Sequence, residues 1–111
     1  MYKYNAKIRR WIDGDTVVLD VDLGFRIQHK IHVRLFGLDA PEVRGAEKES
    51  GKVVRDFCDD AWPPGFDVQL DSRGTDKYGR YVGTMMDGHH NLNKVISEFI
   101  DSAMPGEDDG L

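Results

Sequence analysis

Apolar and polar side chains alternate through the N-terminal third of the chain, the period-two spacing that places neighbours on opposite faces of a strand. On this pattern Lys7 to Ile12 and Thr16 to Asp22 are expected to be two strands, joined by a hairpin turn at Asp13-Gly14. Val17, Leu19 and Val21 share one face of the second strand, with Asp20 and Asp22 on the other. Leu23-Gly24 interrupts the alternation. A third strand is expected from about Arg26 to Leu38, carrying Ile27, Ile31, Val33 and Leu35 on one face. Arg34 falls on the opposite face, outside the core by pattern.

Ala40 precedes a proline and is biased toward extended backbone, so the chain should turn out of the sheet after Asp39 without starting a helix. The periodicity then changes. A helix is expected over roughly Glu47 to Trp62, with Val53, Val54, Phe57, Cys58 and Ala61 as its apolar stripe and Pro63-Pro64-Gly65 as its stop. Phe66 to Asp71 and Tyr81 to Met86 read as two further strands, with Ser72 to Arg80 as the loop between them. Asn91 is placed to cap a second helix bearing Leu92, Val95, Ile96, Phe99, Ile100 and Ala103, and Pro105-Gly106 ends it. Five strands, with a helix after the third and another at the C-terminal end, predict an α+β, mainly β fold: a five-stranded OB-type barrel. No repeat or linker divides the chain, so residues 1–104 are expected to form one domain and 105–111 an acidic flexible tail.

Composition narrows the function classes. The chain has 111 residues, 40% of them hydrophobic and 32% charged, an ordinary globular balance with enough material for one modest core. No apolar run approaches the length that spans a bilayer, so no membrane association is expected. The single cysteine, Cys58, excludes an intrachain disulfide and suits a reducing compartment. The first residues show no signal-peptide apolar stretch, which points to a cytoplasmic protein, or to a secreted one whose leader has been removed. The formal charge of −5 disfavours a generic nucleic-acid binder, but Glu107, Asp108 and Asp109 of the tail supply three of those charges. Any phosphate site would therefore be held by local charge, with weak long-range attraction.

Three fragments carry the chemistry: Asp13-Gly14-Asp15-Thr16, Arg34-Leu35-Phe36-Gly37-Leu38-Asp39-Ala40-Pro41-Glu42, and Thr75-Asp76-Lys77-Tyr78-Gly79-Arg80. Asp15, Asp39 and Glu42 offer oxygen donors of the kind Ca²⁺ or Mg²⁺ prefers. Arg34 and Arg80 offer forked donors that match phosphate oxygens and stay charged at any working pH. A hard cation, two arginines and a spare carboxylate are what phosphodiester hydrolysis uses. Asp-Gly-Asp-Thr alone is a common turn; Arg-x-x-x-x-Asp-x-Pro-Glu followed by Asp-Lys-Tyr-Gly-Arg is far more specific.

In this order and spacing the fragments closely resemble the staphylococcal (micrococcal) nuclease family, or thermonucleases, from about Ile8 to about Ile100. The resemblance implies a Ca²⁺-dependent endonuclease that cuts DNA and RNA, leaving 3′-phosphate and 5′-hydroxyl ends. It implies Asp15 and Asp39 as metal ligands, with Ala40 contributing only its backbone carbonyl. The best-known family member has threonine at that position, and alanine removes a hydroxyl that could support Glu42. Glu42 is implied as general base, and Arg34 and Arg80 as the groups that bind and polarise the phosphate. Asp76, Lys77 and Tyr78 resemble the family's nucleotide-contact loop. The chain ends soon after its second helix, without the tyrosine-bearing segment and third helix of longer relatives, so a base-stacking platform is expected to be missing. A monomer acting on nucleic acid is expected.

Plainer roles compete for each residue. Asp15 and Asp39 could be turn and loop residues satisfied by backbone amides, Glu42 a loop carboxylate, and Arg34 and Arg80 partners in surface ion pairs with Asp20 or Asp76. Lys77 and Tyr78 could belong to a solvated turn. Domains of this fold in Tudor-type relatives have lost catalytic residues and bind RNA or protein, so a non-catalytic module is the main alternative. Glu47 and Glu49 read as ordinary helix N-terminal acids, and Trp11 and Trp62 as packing residues. With one cysteine, and with His29 and His32 on different strand faces, a zinc site is not expected.

Overall fold

The computed structural model describes residues 2–103. Strands β1 (Tyr2–Asp13), β2 (Thr16–Asp22) and β3 (Gln28–Leu35) come first. A short 3₁₀ turn (Gly45–Glu47) leads into helix α1 (Lys48–Ala61). Strands β4 (Asp67–Thr75), β5 (Tyr81–Asp87) and the two-residue β6 (His90–Asn91) follow, and helix α2 (Leu92–Ala103) ends the described chain. The proposed acidic tail, 105–111, lies outside the described residues.

The sheet order is β3-β2-β1-β4-β5-β6, and a further pairing of β3 with β5 closes the first five strands into a barrel. This is the expected α+β architecture: an OB-like barrel with one helix after the third strand and one after the last. All pairings are antiparallel except β3–β5, which is parallel, with Val33 beside Tyr81, Arg34 beside Val82 and Leu35 beside Gly83. Closure removes the exposed edges an open sheet would present.

The barrel interior is filled from each of the five barrel strands, by Ile8, Leu19, Val33, Leu35, Leu70 and Met85, none more than 1% exposed. Val54 and Cys58 of α1 and Leu92 and Ile96 of α2 join the same cluster. Trp11 and Trp62 pack as expected. Their ring centroids are 6.1 Å apart and the Trp11 indole N–H donates to the Trp62 carbonyl at 3.0 Å, so the apolar rings are buried without orphaning the nitrogen. Asn91 caps α2: its side-chain oxygen accepts from the Lys94 N–H at 3.1 Å.

Three expectations need correction. The loop expected from Ser72 to Arg80 is shorter, because β4 continues to Thr75 with Ser72 and Thr75 paired to β5. Ile27 was expected on the core face, but it is 54% exposed because the strand begins only at Gln28. Gly24, Phe25 and Arg26 all take the left-handed backbone conformation (φ 82°, 53° and 64°), which folds this stretch into the β2–β3 hairpin tip instead of extending it. The stripe of α1 is also narrower than expected: Gly51, Val54 and Cys58 are buried, whereas Val53 and Ala61 are exposed. A barrel wall touches a helix along one line, and only residues on that line leave solvent.

Candidate functional site

The β1–β2 turn sets the floor of the site. Asp15 is buried, and each of its oxygens has a partner. Oδ1 accepts from the Thr16 hydroxyl at 2.9 Å and Oδ2 from the Ala40 N–H at 2.8 Å. The Asp15 carbonyl accepts from the Leu35 N–H at 2.8 Å, tying the turn to the end of β3. Asp13 accepts from the Val43 N–H at 3.0 Å. Two aspartates two positions apart thus clamp both ends of the Ala40–Val43 segment, which no sheet pairing holds. Gly14 between them has no room for a side chain, since a Cβ there would overlap Val54 of α1 and stand 3.1 Å from the Ala40 methyl.

Arg34 leaves the end of β3 and makes a dense set of bonds. Its Nη1 donates to the carbonyls of Leu35 and Leu38 at 2.9 and 2.7 Å. Its Nη2 donates to Asp39 Oδ1 at 2.8 Å and lies 3.6 Å from Asp15 Oδ2. Arg80 stands at the entrance to β5. Because β5 runs parallel to β3 with Val82 beside Arg34, the two arginines meet although 46 positions separate them. Arg80 donates to Asp76 Oδ2 through Nε at 2.8 Å, and its Nη2 is also 2.8 Å from that oxygen. The other Asp76 oxygen accepts from the N–H groups of Tyr78 and Arg80 at 2.9 and 3.0 Å. Partial burial works to raise the Asp76 pKa, but these backbone bonds and the Arg80 guanidinium outweigh it and hold the carboxyl below its ordinary range.

Glu42 is the least constrained member. Its side chain is 64% exposed, and its one ion pair among the described residues is with Arg44, at 3.9 Å. Its backbone is better held, with the N–H donating to Glu47 Oε1 at 3.3 Å. Helix α1 packs directly on this backbone: a Cβ at Gly51 would collide with the Glu42 carbonyl. Glu47, expected as an ordinary helix acid, therefore steadies the Glu42 segment.

All nine residues singled out from the sequence line two adjoining clefts. Asp15, Arg34, Asp39, Ala40, Glu42 and Arg80 line the first, of about 420 Å³. Asp76, Lys77 and Tyr78 line the second, of about 580 Å³, which shares Arg34, Asp39 and Arg80 with the first. The ion pairs differ from those foreseen in two respects: Asp20 pairs with Arg9, at 3.3 Å, and with neither site arginine, and Arg34 pairs with Asp39 instead of Asp20 or Asp76.

No protein-family model matches the chain. The chain is similar to Protein ParB of Escherichia coli, with 35% identity over 86 residues that cover 72% of this chain and 40% of that protein. It thus spans well under half of that relative's length.

The donor set suits a hard cation by chemistry. Asp15, Asp39 and the Ala40 carbonyl offer only oxygen. The Asp15 and Asp39 carboxylates converge on one nitrogen of Arg34, which supplies the positive charge between them. Among the described residues no group of three His, Cys, Asp or Glu side chains converges on a metal position. A cation held here would have to draw Asp39 off Arg34, and that side chain, 95% exposed, has the freedom to turn. The charge of Asp15 is felt beneath the site as well. Burial first, then Asp15 and Asp59, push the Cys58 thiol up to about 12, so it stays a neutral packing group and no nucleophile.

Three contributors escaped sequence reasoning. Asp13 was read only as a turn residue, although it holds Val43. Gly51 left one usable signal, a glycine inside a helical stretch, which often marks a close backbone approach. Asn93 is 5% exposed; its side chain accepts from the Met85 N–H at 3.0 Å and donates to the carbonyls of Phe36 (2.9 Å) and Gly83 (3.1 Å). A polar residue on the buried side of an amphipathic helix was the available clue.

Proposed function

We propose that the chain is a phosphodiesterase of the thermonuclease type: a Ca²⁺-dependent endonuclease that cuts DNA and RNA and leaves 3′-phosphate and 5′-hydroxyl ends. One observation carries this reading. Two arginines from distant parts of the chain line a single cleft with Asp15, Asp39 and Glu42, and each arginine is engaged by an exchangeable carboxylate, Asp39 or Asp76.

The chemistry follows from what these side chains can do. A phosphodiester entering the cleft offers non-bridging oxygens that can replace Asp39 and Asp76 as acceptors for Arg34 and Arg80. Both guanidinium groups then balance the charge that grows on phosphorus oxygens in the transition state. The Glu42 carboxylate lines the cleft with no hydrogen-bonded partner among the described residues, so it is available to take the proton of an attacking water. The water oxygen bonds to phosphorus as the bond to the 5′ oxygen breaks; that oxygen, polarised by Arg80, is protonated from solvent. A guanidinium does not readily give up its own proton, which leaves Arg80 a stabilising and not a proton-donating role. Ca²⁺ bound by Asp15, Asp39 and the Ala40 carbonyl would add positive charge at the phosphate and acidify water. Because water attacks and not a ribose 2′-hydroxyl, DNA is cut in addition to RNA.

Incubating the chain with plasmid in Ca²⁺, and separately in excess EDTA, tests the reading. Cleavage is expected at Ca²⁺ on the order of millimolar, as for other exposed oxygen sites, and its loss in EDTA. Undiminished cutting in EDTA sinks the metal assignment. Binding without cutting leaves a non-catalytic module. Mass spectrometry of a digested DNA oligonucleotide should find 3′-phosphate ends; 5′-phosphate ends would reverse the roles given to Glu42 and Arg80.

A further inference from the structure

We propose that Phe36, Arg73 and Lys94 form a second nucleotide subsite that prolongs the cleft, so that the ligand is an extended, unpaired single strand. The site lies where β3, β4, β5 and α2 meet. Phe36 is two residues beyond Arg34 and on the same outward face, opposite buried Val33 and Leu35. Phe36 follows the last residue of β3, so the two-residue offset is at most about 7 Å, within the span of one or two nucleotides. Phe36 is 48% exposed, yet its backbone is fixed on both sides: its N–H donates to the Gly83 carbonyl at 2.8 Å and its carbonyl accepts from the Asn93 side chain at 2.9 Å. The guanidinium of Arg73 stands 3.8 Å from the centre of the ring.

The surroundings select the ligand's charge. Phe36 and Gly37 line the cleft that holds Tyr78 and also a further cleft of about 400 Å³, whose other walls include Arg73, Thr84, Asn93 and Lys94. No acidic residue lines this further cleft, in a chain whose formal charge is −5. Among the described residues neither Arg73 nor Lys94 makes an ion pair. The arrangement also repeats. Tyr78 is 72% exposed, with Lys77 and Arg80 cations 5.3 and 5.4 Å from its ring centre. Two exposed rings, each flanked by cations and joined by one groove, match a polyanion whose subunits carry flat bases. Bases already stacked in a duplex cannot pack on these rings, so the path selects unpaired strands. The stacking platform is on this account supplied by Phe36, just past β3, and Tyr78, in the β4–β5 loop.

The inference rests on the nuclease reading only for the identity of the ligand, and the two can fail separately. Fluorescence anisotropy of a labelled single-stranded deoxyoligonucleotide of about twelve nucleotides, in excess EDTA, measures binding without turnover. Phe36→Leu and Arg73→Gln should each weaken affinity about tenfold, the scale of losing one stacked base. Arg73→Gln and Lys94→Gln should each also flatten the salt dependence by about 0.7 in logarithmic slope, one phosphate contact on a single strand. The same sequence as a duplex should bind more weakly. Affinities within about twofold of the parent together with an unchanged salt slope, or no binding by the parent at all, overturn the subsite. Lys94 is exposed on α2, so Lys94→Gln still decides the matter if Phe36→Leu fails to fold. Plasmid cleavage by the parent with variant-insensitive binding sinks the subsite and keeps the nuclease; no cleavage with variant-sensitive binding does the reverse.

Discussion

Arg34 and Arg80 face the same cleft but are held in opposite ways. Arg34 emerges from the end of strand β3, and its bonds go to two backbone carbonyls, Asp39 and the neighbourhood of buried Asp15. Arg80 emerges from a loop and is engaged by a single side chain, Asp76, four residues before it. The first arginine therefore also stabilises the barrel end, whereas the second is positioned locally and can be lost without loosening the fold. One site thus joins a rigid wall to a separable arm, and chemistry and stability should divide along that line.

The largest expected effect tests this division. Arg80→Ala should lower turnover by roughly 10²-fold or more with little change in melting temperature, the scale of losing one preorganised donor. Arg34→Ala should lower turnover at least as much and also cost about 1–3 kcal/mol of stability, because the Leu35 and Leu38 carbonyls lose their charged donor and Asp15 loses its counter-charge. Equal stability losses in the two variants, measured by denaturant titration, would erase the comparison.

An intermediate effect is expected at Gly51, on the wall side but remote from the arginines. Gly51→Ala forces its methyl against the Glu42 carbonyl, so either the helix retreats or Glu42 moves. Turnover should fall about ten- to a hundredfold, as a displacement near 1 Å at a reacting group does. Overpacking should cost about 1–3 kcal/mol. Full activity in this variant would mean that the Glu42 backbone is not positioned by α1.

The smallest effect belongs to the arm. The Asp76 carboxyl is held below its ordinary range, so its ionised, hydrogen-bonded form supports the loop at and above ordinary carboxylate pKa values. That support is lost as pH falls through the lowered value. Amide exchange at Tyr78 and Arg80 should therefore stay protected through mildly acidic pH and accelerate only below it, while Asp76→Asn should abolish this pH dependence. A transition at or above the usual carboxylate pKa would contradict the bonding described for this loop.

The elements were legible wherever burial is one-sided. Leu19 and Val21 alternate with half-buried Asp20 and exposed Asp22 along the second half of β2, and Leu92 and Ile96 sit four apart because α2 has one buried stripe. Where local backbone overrides pattern, the reading failed. Arg26 and Ile27 continue an alternating run, but three successive left-handed residues turn the chain at that point. Gly51 and Asn93 were passed over because their roles depend on which surface comes to rest against them. The candidate site was legible as three fragments of suitable chemistry, each local in the chain.

What the sequence determined by itself is the inventory: strands by period two, helices by their wider period, oxygen donors and guanidinium groups at set positions. These follow from covalent geometry and from which side chains leave water, and both act over a few residues. Only the tertiary structure decided that the inventory shares a place. The parallel pairing of β3 with β5 brings Arg80 to Arg34, the Asp13 and Asp15 carboxylates fasten the segment bearing Ala40 and Glu42, and Asn93 pins Phe36 beside Arg73. Each of these contacts joins residues distant in sequence, and none has a periodic signature. They form because closing the barrel buries the strands' shared apolar face and satisfies the backbone at its edges, which is a property of the whole chain and of no segment of it.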